Sequence, residues 1–199
     1  LHSKVSPLSK MTTAAQRGLA ECEQFIAEGG KGMVGVHAAF TCSDETLNAA
    51  ANLAKQLNVG VHIHVAEGIE DVHAATRLTE LATDDWLLVH GVHLNTPLRG
   101  RLVHNPRSNM NNHVGYGAPT SKPNTILLGT DGIGADMLEE SRLAYARLLE
   151  FDIAQTPDTV NQWLKNGYQI FPEAENDIVT WNYDQIQSPW HVAFTPGTR

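Results

Sequence analysis

The segment VHIHVAEG, residues 61–68, contains the pattern that decides the fold of this chain. A short run of valine and isoleucine is interrupted by histidines, and Gly68 closes a polar loop before a helical stretch begins. Strand-forming residues, then a loop, then a helix make up a βα unit. The segment therefore predicts a strand over residues 61–65 with His64 close to its carboxyl end.

The same βα rhythm recurs on both sides of this segment. Further strands are predicted at residues 33–37, 86–90, 102–104 and 125–131, and a long polar loop, NPRSNMNNHVGYGAP, is predicted at residues 105–119. Amphipathic helices are predicted at residues 11–28, 44–57, about a dozen residues ending near Leu81, and residues 136–151. Most of these strands contain consecutive apolar residues, which is typical of parallel strands covered on both faces. The fold class is therefore α/β with a parallel sheet.

The pattern changes after Phe151. One helix is predicted near residues 159–165. Residues 177–184 and 191–195 are rich in aromatic side chains and alternate between apolar and polar residues, which is typical of antiparallel strands. We predict two domains, a barrel-like domain over residues 1–155 and a small appendage of a helix and β-strands over residues 156–199.

Composition excludes several classes of function. The net charge is −8 with only 14 lysines and arginines, which disfavours binding to nucleic acid. No apolar run approaches the roughly 18 residues needed to span a membrane. The two cysteines lie outside any CxxC spacing, as expected in a reducing compartment. We expect a soluble, cytoplasmic protein that acts on a small molecule.

Titratable residues stand where the predicted strands end. They are His37, His64 with Glu67 beyond it, His90, His104 and Asp131. In an α/β barrel the loops after the strands converge on one mouth, where the functional groups lie. Because separate strands end in compatible side chains, we expect these residues to form one site.

Imidazole and carboxylate groups are ligands that a zinc-like ion prefers, and His64 and Asp131 suit that role. A bound metal ion activates water as a nucleophile. Glu67 follows His64 closely enough to move the proton, and His90 could polarise the substrate or the attacking water. His62 could be either a further ligand or a hydrogen-bonded core histidine.

Five segments carry a family resemblance in their order and spacing. They are GVHAAFTCSDETL (35–47), HIHVAEG (62–68), VHGVHL (89–94), VHNPRSNMNNHVGYGAP (103–119) and LLGTDGIGADM (127–137). Together they resemble the amidohydrolase superfamily, most closely the SsnA-type aminohydrolases, relatives of guanine, cytosine and S-adenosylhomocysteine deaminases and of chlorohydrolases. The resemblance implies a TIM (β/α)8 barrel, of which this chain would supply about five βα units.

The resemblance also implies roles for individual residues. It suggests that the protein binds one divalent metal ion, zinc or alternatively iron. By motif, the metal ligands are His64 and Asp131, the catalytic residues are Glu67, His90 and Asp131, and the substrate-binding residues are His37, Ser108 and Asn109.

The family's other two ligands, a His-x-His at the end of its first strand, fall before the start of this chain. Two ligands hold zinc more weakly than four, so we expect the isolated chain to have little or no activity. Five strands cannot close a barrel, so missing strands, another chain or a second copy would have to cover the open edge.

The leading hypothesis is hydrolytic deamination of a purine, pyrimidine or triazine by metal-activated water. Hydrolytic dechlorination is the nearest alternative, and ring-opening amide hydrolysis ranks third because no lysine stands at a strand end. The chain could also be a non-catalytic truncated fragment. Substrate identity lies in loop shape, which the sequence does not reveal.

Overall fold

The computed structural model describes residues 11–176, apart from the side chain of Glu175. The strands are β1 (Val34–Ala38), β2 (Val61–Val65), β3 (Leu87–His90), β4 (Arg101–His104) and β5 (Ile126–Leu128). The α-helices are α1 (Thr13–Ala27), α2 (Asp44–Leu57), α3 (Val72–Ala75), α4 (Pro106–Asn111), α5 (Met137–Phe151) and α6 (Pro157–Lys165).

All five strands form one parallel sheet in the order β1-β2-β3-β4-β5. His64 of β2 lies beside Val89 of β3, so the carboxyl ends of neighbouring strands stand at one level. This arrangement confirms the predicted α/β fold and brings the strand-end residues to one edge of the sheet.

Helix α2 shows how sequence and packing together produce a βα unit. The Ser43 side chain accepts a hydrogen bond from Thr46 N at 3.2 Å and caps the helix, and Asn58 ends it in a left-handed conformation. Leu47, which is 2% exposed, lies on the helix face that enters the core. Such burial holds the helix against the sheet.

Only one face of β1 and β2 is buried among the described residues. Val61, Ile63 and Val65 are fully buried in the core, whereas His62 between them is exposed. The expectation of cover on both faces is therefore wrong for these two strands, although every residue of β5 is buried. The uncovered face of β2 carries the histidines.

Two predicted segments differ from the structure. The predicted helix ending near Leu81 is instead a series of short turns around α3, because the chain follows 3₁₀ geometry on both sides of it. The segment predicted as a long polar loop begins with helix α4, whose first residue is Pro106. Proline suits the first position of a helix because its fixed φ is already helical.

Helix α6 agrees with the helix predicted near residues 159–165, and its Val160 and Trp163 are buried in the core of the sheet and helices. The strands predicted at 177–184 and 191–195 lie outside the described residues, so the division into two domains stays a prediction.

Among residues 11–176, every helix is too short or too polar to cross a bilayer. In that same part of the chain, β1 and β5 each have a neighbouring strand on one side. The predicted association at these outer strands, with missing strands, another chain or a second copy, stays a prediction.

Candidate active site

A cavity of about 280 Å³ opens at the carboxyl ends of the first three strands. Five of the predicted site residues line it: His37, His64, Glu67, His90 and Asp131. Parallel strands bring these side chains together although they are far apart in the sequence. The structure thus brings to one mouth the strand-end groups that were predicted, except His104.

His64 is oriented by the backbone of the neighbouring strand. Its Nδ1 lies 2.6 Å from the carbonyl oxygen of His37, an atom that can only accept, so Nδ1 carries the hydrogen. The other nitrogen, Nε2, is left as the ring atom that can bind a metal ion. Histidines that bind metal ions commonly donate their second ring N–H in this way, because the bond fixes the ring and its tautomer.

Three side chains are close enough to hold one metal ion. One ligand atom each from His64, His90 and Asp131 lies within 4.8 Å of the other two. Two imidazoles and a carboxylate match the nitrogen and oxygen donors of catalytic zinc sites, which leave a further position for water. The residues therefore fit a divalent ion, with His90 joining the pair that the sequence suggested.

His90 also lies between two carboxylates. Its Nε2 is 3.6 Å from Oε2 of Glu67 and 3.7 Å from Oδ2 of Asp131. The side chain of His90 is 1% exposed, whereas those of Glu67 and Asp131 are about one third and one quarter exposed. Two partly exposed carboxylates therefore flank a buried imidazole.

The backbone is strained at two of these residues. His90 has a φ of 70° and Asp131 a φ of 52°, both in the left-handed region that favours glycine. Such a conformation costs roughly 1–2 kcal/mol per residue. Strained residues often lie at functional sites, but Asn58, Ala66, His113 and Ala118 also have a positive φ, so the backbone agrees with the side-chain geometry without identifying the site by itself.

Helix α4 lies behind the site. Ser108 Oγ donates to Asp131 Oδ2 at 2.5 Å, and His90 Nδ1 is 2.9 Å from Asn109 Oδ1. Ser108 and Asn109 are each 2% exposed and are not among the residues that line the cavity. Their predicted contact with substrate stays a prediction, while their contacts with Asp131 and His90 are direct.

Residues that the sequence did not single out also line the cavity. Asn112 donates from Nδ2 to Glu67 Oε1 at 3.3 Å, and Phe40 presents an exposed ring at the mouth. Asp71 Oδ2 accepts from Ala66 N at 2.6 Å, and burial raises the pKa of the Asp71 carboxyl above its usual value. Only the polar run around Asn112 offered a signal, since neither Phe40 nor Asp71 stands at a strand end.

Two histidines lie elsewhere. His104, which we expected to converge with the others, is 2% exposed and packs its ring against Tyr116 and Trp163. It does not line the cavity, because the last residue of β4 points to the helix-covered face. His62 is outside the metal-ligand group found among the described residues, and it is exposed instead of lying in the core.

The profile of the amidohydrolase family matches residues 4–165, most of the chain. The chain belongs to the amidohydrolase family. This membership confirms the resemblance carried by the five motifs, and it accounts for the parallel sheet with titratable residues at its carboxyl edge.

Relatives within the amidohydrolase family are deaminases by name. A 5'-deoxyadenosine deaminase of Methanococcus aeolicus is 33% identical over 138 residues, which is 56% of this chain and 32% of that protein. A 5-methylthioadenosine/S-adenosylhomocysteine deaminase of Pelotomaculum thermopropionicum is 32% identical over 164 residues, 66% of this chain and 38% of that protein. The chain thus spans about a third of the length of these curated relatives.

Solved structures show the same fold. An adenosine deaminase from Xanthomonas campestris with bound zinc has a TM-score of 0.56 at 22% identity, covering 66% of this chain and 37% of that one. A mutant of an atrazine chlorohydrolase from Arthrobacter aurescens, complexed with zinc and atraton, has a TM-score of 0.55 at 18% identity, covering 75% of this chain and 39% of that one.

Proposed function

We propose that this protein is a metal-dependent hydrolase that releases ammonia from an aminated nitrogen heterocycle, with adenine-type nucleosides as the first substrates to test. The observation that carries the proposal is the gathering of His64, His90 and Asp131 within 4.8 Å, with Glu67 beside them in the same cavity. This set combines metal donors with a carboxylate free to move protons.

Zinc is the metal we propose, because the donor set fits it and solved proteins of the same fold contain it. His64 and Asp131 would hold the ion, and His90 is close enough to do so or to act beside it. When bound, such an ion lowers the pKa of a water to about 7 and so supplies a nucleophile at neutral pH.

Deamination requires a water oxygen to add to the ring carbon that bears the amino group, after which the C–N bond breaks and ammonia leaves. One proton must leave the water and another must reach the departing nitrogen. Glu67 can do both, because its carboxylate is partly exposed in the cavity and anchored at one oxygen by Asn112. Asp131 and His90 would hold the attacking oxygen.

The substrate class is proposed from the relatives and from the cavity mouth. Deaminases of 5'-deoxyadenosine and of 5-methylthioadenosine and S-adenosylhomocysteine are similar to this chain. The exposed ring of Phe40 at the cavity provides a flat apolar surface on which a planar heterocycle can stack. An adenine ring with its exocyclic amine directed at the strand ends fits this arrangement.

The test is ammonia release by the protein expressed from its complete coding sequence. Adenosine, 5'-deoxyadenosine, 5-methylthioadenosine, S-adenosylhomocysteine, cytosine, guanine and an aminotriazine would be assayed with and without added zinc. We expect zinc-dependent ammonia release from at least one adenine compound and little or none from the Glu67→Gln variant. Ammonia release from pyrimidines or triazines alone would overturn the proposed substrate class but would still support the proposed hydrolase activity.

A chlorinated triazine belongs in the same panel, because the same attack with chloride as leaving group is dechlorination. Chloride release without ammonia release would favour the chlorohydrolase alternative. Absence of both activities, together with absence of bound metal in the purified protein, would support the non-catalytic reading instead.

A further inference from the structure

Helix α4 and its C-cap residue Asn112 together contact three of the candidate catalytic side chains. Ser108 binds Asp131, Asn109 binds His90 and Asn112 binds Glu67. We propose that Ser108 and Asn109 are positioning residues, which hold the acid–base groups of the site in their working geometry, in place of the substrate contact that the family motif implied. The inference rests on the proposed hydrolase function and adds to it the element that orders the site.

The contact between Ser108 and Asp131 is short and directional. A carboxylate only accepts, so the hydroxyl hydrogen of Ser108 points at Oδ2 of Asp131 over 2.5 Å. That oxygen is the one 3.7 Å from His90 Nε2. Since the hydroxyl occupies one side of Oδ2, it limits rotation of the carboxylate and fixes the plane that Asp131 presents to the cavity.

The contact between Asn109 and His90 determines which ring nitrogen faces the cavity. The amide oxygen of Asn109 can only accept, so Nδ1 of His90, 2.9 Å away, carries a hydrogen. Both side chains are buried, and Nδ2 of Asn109 has no hydrogen-bond partner among the described residues. The bond therefore leaves Nε2 of His90 directed toward Glu67 and Asp131.

Asn112 links the two carboxylates of the site. It stands four residues after Ser108, one helical turn on, and its Nδ2 donates to both Glu67 Oε1 and Ser108 Oγ at 3.3 Å. A continuous hydrogen-bonded path then runs from Glu67 through Asn112 and Ser108 to Asp131. Movement of α4 would disturb both carboxylates together.

The helix is itself held in place from behind. Glu140 of α5, which is fully buried, accepts from the backbone N of Arg107 at 2.9 Å and from its Nε at 3.1 Å. Arg107 Nη2 also lies 2.9 Å from Glu139. The Glu140 side chain is 1% exposed and that of Arg107 is 26% exposed. A buried carboxylate that loses its partner is destabilising, so this contact helps to fix α4 against α5.

Burial separates positioning from substrate binding. Ser108 and Asn109 are each 2% exposed and lie outside the cavity lining, so the atoms of a substrate in the cavity would meet Asp131 and His90 first. Residues of this kind act on the rate of the chemical step, because they set the orientation of groups that react. They leave ground-state binding of substrate almost unchanged.

The kinetic test compares Asn109→Leu with Asn109→Asp, and Ser108→Ala with Ser108→Thr, in the protein expressed from its complete coding sequence. Asn109→Leu and Ser108→Ala should lower kcat about 10–100-fold with KM within about twofold of the parent. Asn109→Asp keeps an acceptor oxygen and Ser108→Thr keeps the hydroxyl, so both should recover most of the rate. Met110→Ala changes an exposed residue of the same helix and should leave kcat unchanged.

An unchanged kcat in both Asn109→Leu and Ser108→Ala would overturn the proposal. So would a raised KM at constant kcat, because that result would assign the two residues to substrate binding. Thermal unfolding of each variant separates loss of fold from loss of rate. If Asn109→Leu does not fold, the Ser108 pair of variants decides the question.

A second measurement does not depend on substrate. Nitrogen-15 NMR of the histidine rings should show a protonated Nδ1 on His90 in the parent and in Asn109→Asp, and partial loss of that state in Asn109→Leu. An unprotonated Nδ1 in the parent would refute the positioning by Asn109. If no compound is hydrolysed, the proposed function fails, and the ring signals still decide whether Asn109 orients His90.

Discussion

His64 donates its Nδ1 hydrogen to the carbonyl oxygen of His37 over 2.6 Å, which joins the end of β2 to the end of β1. The bond is a backbone contact, so the identity of the side chain at residue 37 does not determine it. It places the second ring nitrogen of His64 where it can bind a metal ion with His90 and Asp131. The consequences are open to measurement.

Replacing His64 by Gln should remove the bound metal and ammonia release together, because one imidazole of the three-residue donor group is lost. Metal content per chain, measured by elemental analysis, checks this result. His73 is an exposed histidine outside the group, and His73→Gln should retain the metal content of the parent. Full metal occupancy in His64→Gln would exclude His64 as a ligand.

Replacing Glu67 by Gln should lower kcat by about 10²–10⁴ while the metal stays bound. The amide has the shape of the carboxylate but cannot accept a proton from water and return it. Steady-state ammonia release and elemental analysis on the same preparation check both parts. Glu80→Gln, at an exposed residue away from the cavity, serves as the control and should match the parent rate.

Replacing Glu140 by Ala should lower the free energy of unfolding by about 1–3 kcal/mol, because Arg107 loses its buried acceptor on both the backbone and the side chain. Urea unfolding followed by circular dichroism measures the change. Glu139 pairs with the same arginine but is 42% exposed, so Glu139→Ala should cost less than about 1 kcal/mol. Equal losses in the two variants would contradict the special role of Glu140.

Stability should fall in acid because of His104. Burial lowers the pKa of its imidazole to about 4 in the folded protein. In the unfolded chain the imidazole takes up a proton near pH 6.5, so the neutral folded form loses relative stability as the pH falls from about 6.5 to about 4. Above that range His104 is neutral in both states and does not change the free energy of unfolding. Across the whole range the free energy of unfolding falls by an amount on the order of 3 kcal/mol.

The measurement is the midpoint of urea unfolding across pH 4–7 for the parent and for His104→Leu. We expect a shallower decline in the variant. His113 is exposed, and His113→Asn should keep the slope of the parent. The same slope in His104→Leu and the parent would show that another group causes the acid sensitivity.

The local pattern of the chain was sufficient for the strands and for the side chains at their ends. Valine-rich runs such as residues 61–65 predicted β2 because short runs of β-branched residues suit a pleated, half-buried strand. The polar run after Asn105 was predicted as a loop, and α4 was missed, because asparagine and serine favour turns in the absence of packing. Hydrogen bonds from Arg107 to the buried carboxylate of Glu140 support the helix against that tendency.

The amino-acid sequence was enough to predict the α/β class, the family and five of the residues that line the cavity, because each depends on patterns within a few consecutive residues or on motifs in order. Tertiary structure decided that His104 turns away, that His90 joins His64 and Asp131, and that α4 lies behind them. Those outcomes depend on contacts such as Ser108 with Asp131 and Asn109 with His90, between residues 23 and 19 positions apart. Only the packed chain brings such residues together, so no local pattern could have contained them.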